Sequence, residues 1–181
     1  MKLPQNGGCQ CGALRYEVTQ APSMVYACHC TDCQRVTSSA FSMAIVLPAD
    51  AFRLVAGEPR VMKRTTDSGR VSTRWVCPEC GSWISHGPRP GIRNVRAGTL
   101  DDTSWLRPTA HFWTRSKQPW VAPRGCAELR DSAGGHAGLP LLVRRDPLTR
   151  RWRVCLTTPA AHMTRATASV SPLPTFPVAI G

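Results

Sequence analysis

A chain of 181 residues suits one domain with a tail, and no apolar run approaches the roughly 20 residues needed to cross a bilayer. Sixteen prolines and fourteen glycines exclude a protein of long helices and point to short strands joined by turns. The formal charge of +12 lacks the Lys/Arg stripe and exposed aromatics of a nucleic-acid binder, so nucleic acid is not the expected partner.

The opening MKLPQNGGCQ offers no apolar core for a signal peptide, which makes a cytoplasmic protein the expectation. GALRYEV (12–18) alternates, with Leu14, Tyr16 and Val18 on one side and Arg15 and Glu17 on the other, the pattern of a half-buried strand. FSMAIVLP (41–48) is almost wholly apolar and closes on proline, a strand buried on both sides. PADAF (48–52) reads as a single helical turn with proline near its start. RVMKRT (60–65) and VSTRWVC (71–77) flank TDSG, strands around a turn. SWIS (82–85), IRNVRAG (92–98) and AHFWTR (110–115) complete an all-β set.

Beyond Trp120 the periodicity stops. Residues 122–181 are expected to form a poorly packed or non-native extension to a domain of residues 1–121. Within it LPLLV (139–143) and WRVCL (152–156) could pair as a hairpin. Cys126 and Cys155 have no partner at ligand spacing and read as spectator thiols.

The other seven cysteines fall into three groups: Cys9 and Cys11 in GGCQCG, Cys28, Cys30 and Cys33 in ACHCTDCQ, and Cys77 and Cys80 in CPECG. Clustered thiols in a chain with no secretory signal point to metal thiolates rather than disulfides. C-P-x-C-G is a zinc knuckle whose glycine, Gly81, permits the positive φ of such a turn. Glycines 7, 8 and 12 would let the Cys9–Cys11 segment bend so that both sulfurs reach one ion. Seven ligands divide naturally into a closed set of four and an open set of three, the arrangements of a structural and a catalytic zinc. Spacing alone also allows Cys9 and Cys11 to join Cys28 and Cys30.

GGCQCGALRYEV, YACHCTDCQRVTSSAFSMAIVLP, WVCPECGSWIS and AGTLDDTSWLRPTAHFWTRSKQPW occur in the order seen in the glutathione-dependent formaldehyde-activating enzyme family. The chain resembles that family, which includes centromere protein V and shares the Mss4-like β-tent fold, over about residues 3–121. The resemblance implies a structural zinc on Cys9, Cys11, Cys77 and Cys80 and a catalytic-type zinc on Cys28, Cys30 and Cys33, two Zn²⁺ per chain. It also implies a carbon–sulfur lyase-type activity, the formation of S-hydroxymethylglutathione, with glutathione or another small anionic thiol as partner.

His29, between two of the cysteines, is a candidate proton shuttle or fourth ligand, although an extended C-H-C segment turns it away from the sulfurs. Asp32 reads as a turn cap. Arg35, Lys63, Arg64 and Arg74 are candidates to meet the carboxylates of glutathione. Asp101 and Asp102 could form an acid–base pair but fit turn-capping better, His111 reads as a satisfied core histidine, and Trp120 as a packing anchor. The competing functions are a non-enzymatic zinc-stabilised binding module for protein or nucleic acid, and a thiol/zinc redox sensor.

Overall fold

The computed structural model describes residues 1–65, 69, 71–123 and 126–130, and the backbone of strands at 142–145 and 152–155. Most of the turn expected at 66–69, and most of the extension expected over 122–181, lie outside the described residues. The all-β class expected from the sequence is what the chain adopts. In chain order the elements are β1 (Gln5–Gly8), β2 (Arg15–Val18), β3 (Met24–Cys28), α1 (Thr31–Thr37), β4 (Ser42–Pro48), β5 (Phe52–Ala56), β6 (Arg60–Thr65), β7 (Val71–Val76), β8 (Trp83–Arg89), β9 (Ile92–Arg96), β10 (Ala110–Phe112), β11 (Ala127–Leu129), β12 (Leu142–Arg145) and β13 (Trp152–Cys155).

Eight strands form one sheet in the order β11-β10-β3-β4-β9-β8-β7-β6, and β1-β2-β5 form a second, antiparallel sheet. β10 runs parallel to both β3 and β11. β11 therefore extends the large sheet beyond residue 121. The expected hairpin forms separately, with Leu142 opposite Cys155.

The large sheet is two-faced, and this positions everything that follows. Side chains alternate along a strand, so Val25, Ile45, Leu47 and Val95 point one way. There they pack with Tyr16, Val18 and Phe52 of the small sheet and with Leu14 and Ile84 as the main core. Met24, Tyr26, Cys28 and Ala44 point the other way and pack with Ala110 and Phe112 as a second, smaller core. β4 is sandwiched between the two, which is why its sequence lacks polar alternation. The expected helical turn is a 3₁₀ turn, Ala49–Ala51, entered from Pro48.

The strand expected over 110–115 is cut short at Phe112. Trp113 takes a left-handed conformation, φ 58°, and leads into the 3₁₀ turn Thr114–Ser116. For a non-glycine residue that backbone costs about 1–2 kcal/mol, held here by the contacts the turn makes beneath the cysteine loop.

Candidate metal centres

Cys77-Pro-Glu-Cys80 forms a tight turn between β7 and β8. The Gly81 N–H donates to the Cys77 carbonyl (3.1 Å) and the Cys77 N–H to the Ser82 carbonyl (2.9 Å). Gly81 has φ +73°, the left-handed backbone its sequence position foretells. Cys9 and Cys11 sit on the loop between β1 and β2, where the Gly12 N–H donates to the Cys9 carbonyl (3.1 Å). Gly12 (φ +82°) supplies the bend. Gly7 serves a different need from the one expected, since a Cβ there would lie 2.3 Å from the Tyr16 ring and 2.5 Å from the Thr99 carbonyl.

The four sulfurs of Cys9, Cys11, Cys77 and Cys80 lie within 4.8 Å of one another, with Cys9–Cys11 at 3.5 Å and Cys11–Cys77 at 3.8 Å. A tetrahedral zinc with bonds near 2.3 Å spaces its sulfurs by about 3.8 Å, so this set fits that ion. The Leu14 N–H donates to Cys9 Sγ (3.1 Å), and Ser82 Oγ lies 3.1 Å from Cys80 Sγ. Hydrogen bonds from the Ser82 hydroxyl and N–H hold the Cys80 thiol down at about 5. Both contacts stabilise sulfur as thiolate, the form a metal binds.

The sulfurs of Cys28, Cys30 and Cys33 form a second group within 4.8 Å, on the other face of the large sheet, and no fourth His, Cys, Asp or Glu joins it among the described residues. Cys28 ends β3. Cys30 caps α1: its Sγ accepts from the Cys33 N–H (3.3 Å), and one helical turn brings Cys33 back beside it. Hydrogen bonds from Cys28 and Cys30 lower the Cys33 thiol to about 3, helped by the Ser42 hydroxyl and the Arg96 charge. The same sulfur contacts and burial push Cys28 up, so the three thiols titrate as one coupled cluster.

The segment between Cys28 and Cys30 is stapled from below. Its His29 carbonyl accepts from Gln34 Nε2 (2.7 Å) and Ser116 Oγ (2.9 Å), and the His29 N–H donates to the Phe112 carbonyl (2.9 Å). Gln34 Nε2 also donates to the Ser116 carbonyl (2.8 Å), and Gln118 Nε2 donates to Gln34 Oε1 (2.8 Å). The His29 ring is fully buried, stacked on His111 with Nε2 2.8 Å from His111 Nδ1. Burial lowers both histidine pKa values, so one ring donates and the other accepts.

Residues 4–116 match the family described as glutathione-dependent formaldehyde-activating enzyme. The chain belongs to this family. A Talaromyces marneffei protein named "Putative glutathione-dependent formaldehyde-activating enzyme" is 28% identical over 130 residues, 67% of this chain and 68% of that one. A Penicillium rubens protein of the same name is 27% identical over 107 residues, 55% of each chain. A crystal structure of a Rhodobacter sphaeroides protein aligns over 57% of this chain and 91% of that one, at 22% identity and a TM-score of 0.44.

In this family member the remaining candidates are dispersed. Asp32 pairs with Arg64 and Asp101 with Arg15. Asp102 caps a turn by accepting from the Ser104 N–H (2.9 Å) and hydroxyl (2.7 Å). Arg35 and Lys63 are exposed, whereas Arg74 is half-buried. Cys126 Sγ meets the Pro108 carbonyl at 3.0 Å; the Cys155 side chain lies outside the described residues. Trp120 is no packing anchor: it is 73% exposed, and the SKQPW block is tied down through Ser116 and Gln118 instead. Sequence reasoning also missed Arg96, which is buried with its charge acting on Cys28 and Cys33.

Proposed function

We infer that this chain activates formaldehyde by adding a thiol to it, as a zinc-dependent enzyme of the carbon–sulfur lyase type running in the synthetic direction, with glutathione or another small anionic thiol as co-substrate. Cys9, Cys11, Cys77 and Cys80 would hold a structural zinc, and Cys28, Cys30 and Cys33 a second, reactive one. Held by three thiolates, that ion would offer a fourth position and stabilise an incoming thiol as thiolate.

The chain's own residues arrange that position. α1 and the end of β3 set three sulfurs to one side, and the Gln34–Ser116–Gln118 staple keeps the intervening peptide from shifting. Arg96 and the Ser42 hydroxyl favour negative charge on Cys33. In the reaction the substrate sulfur forms a bond to the formaldehyde carbon, and the C=O π pair becomes the hydroxyl oxygen's, which takes up the proton the thiol gave. The chief contribution is to hold the two reactants together. What carries this reading is the unequal division of sulfurs: four that close on one another, and three that no further ligand type joins among the described residues. No described helix is long and apolar enough to cross a membrane.

Thiols add to formaldehyde unaided, so the test is exchange between S-hydroxymethylglutathione and free formaldehyde, measured against buffer. Acceleration by the wild type and its loss in Cys30→Ser are expected. A rate equal to buffer would overturn the enzyme reading in favour of a binding module or sensor.

A further inference from the structure

Arg74 and Arg96 are two cations that the fold places near the three-sulfur cluster and that no carboxylate ion-pairs among the described residues. Register carries them onto the same face as Cys28. Cys28 lies opposite Ser42, Ala44 opposite Arg96, and Asn94, His86 and Arg74 run in a row across β9, β8 and β7. The Cζ atoms of both guanidiniums lie over the Trp83 ring, at 4.5 and 4.2 Å from its centroid. A cation–π contact with the ring leaves guanidinium N–H groups available to a ligand.

Among the described residues no carboxylate pairs with either guanidinium. The ion pairs among the described residues are Arg15–Asp101, Arg53–Glu17 and Arg64–Asp32, and the guanidinium groups of Arg74 and Arg96 make no hydrogen bond to another described residue. Arg96 is only 7% exposed, and Arg74 Nε is sealed from solvent without an acceptor. A buried cation left like this is costly unless something anionic meets it. The cysteine sulfurs are within electrostatic reach of both, but three thiolates around one divalent ion carry a net charge of only −1. Two guanidiniums overbalance that by one positive charge, and Arg64 and Asp32, paired with each other, act on Arg74 in opposite directions.

We propose that Arg74 and Arg96, braced on Trp83, form a carboxylate subsite that selects thiols carrying a negative charge. The inference rests on the reading of Cys28, Cys30 and Cys33 as the thiol site. The substrate is then held at two points, sulfur at the cysteines and carboxylate at the arginines. Neutral thiols such as 2-mercaptoethanol and cationic ones such as cysteamine lose the second point or are repelled from it.

The test uses the zinc-loaded full chain and calorimetric titration with glutathione and with S-methylglutathione, whose capped sulfur reports the carboxylate subsite alone. Wild type is expected to bind both. Arg74→Gln is expected to weaken both by about tenfold or more, while Arg96→Lys, which keeps the charge but loses the planar fork, weakens them less, each at wild-type zinc content. Cys30→Ser is expected to weaken glutathione and spare S-methylglutathione. Unchanged S-methylglutathione affinity in Arg74→Gln at full zinc content would overturn the subsite, as would failure of the wild type to bind it. Loss of zinc in step with loss of affinity in both arginine variants would overturn it too, by making the arginines mere counter-charges to the thiolates. Arginine-dependent binding of S-methylglutathione with no gain from a free sulfur would uphold the subsite and sink the thiol-site reading.

Discussion

Replacing one cysteine from each set by serine should give opposite outcomes. Cys77 is fully buried in the main core, and its knuckle joins the loop between β1 and β2, so the four sulfurs clamp the small sheet to the large one. A structural zinc site supplies about 10–16 kcal/mol of apparent binding free energy, against a net domain stability of about 5–15 kcal/mol. Losing a large part of that clamp leaves no stable fold. Cys30 is only half-buried, and its structural duty is to accept the Cys33 N–H at the start of α1. Serine performs that duty well. Cys77→Ser is therefore expected to be insoluble or to lack a cooperative thermal transition by circular dichroism, whereas Cys30→Ser melts within a few degrees of wild type and loses one of two zincs by elemental analysis. Identical collapse of both variants, or a wild-type melt for Cys77→Ser, would refute the reasoning.

Three further outcomes follow from the packing. Gly7→Ala drives a methyl group against Tyr16 and the Thr99 carbonyl and should cost about 1–3 kcal/mol, read as a lower urea midpoint with unchanged slope. Gln34→Ala removes donors to the His29 and Ser116 carbonyls at a cost of about 1–2 kcal/mol; release of one zinc to a chelator should quicken while the other stays put. Truncation after Val121 removes an edge strand whose Ala127 and Leu129 are only half-buried. The domain proposed for residues 1–121 should fold and keep its zinc with a lower melting temperature, and an insoluble product would place the boundary later.

The strands at 12–18 and 41–48 were legible because their patterning answers to burial: alternation on the small sheet, a continuous apolar run in the sandwiched β4. β3 escaped notice, since MVYAC is buried at all five positions and shows no alternation to detect. α1 was invisible for another reason. Its seven residues bury no side chain and its cap is a cysteine, so neither the 3.6-residue period nor a Ser/Thr/Asp/Asn cap marks it, and Asp32 in the first turn is a weak signal by itself.

At the site, cysteine spacing identified all seven clustered sulfurs. Which pairs converge depends on a β1–β2 loop meeting a β7–β8 turn across the fold, which spacing cannot encode. The polar supports were harder still. Gln34, Ser116 and Gln118 read as ordinary surface residues, and a lone Arg96 in IRNVRAG reads as surface charge until the sheet register turns it inward.

The most direct test of the unequal division is X-ray absorption at the zinc edge on protein carrying two zincs per chain. Closed and open sites together predict about 3.5 sulfurs per zinc on average, rising to about 4 when saturating glutathione fills the vacancy. Four sulfurs per zinc before any thiol is added, or no change on adding it, would contradict the account.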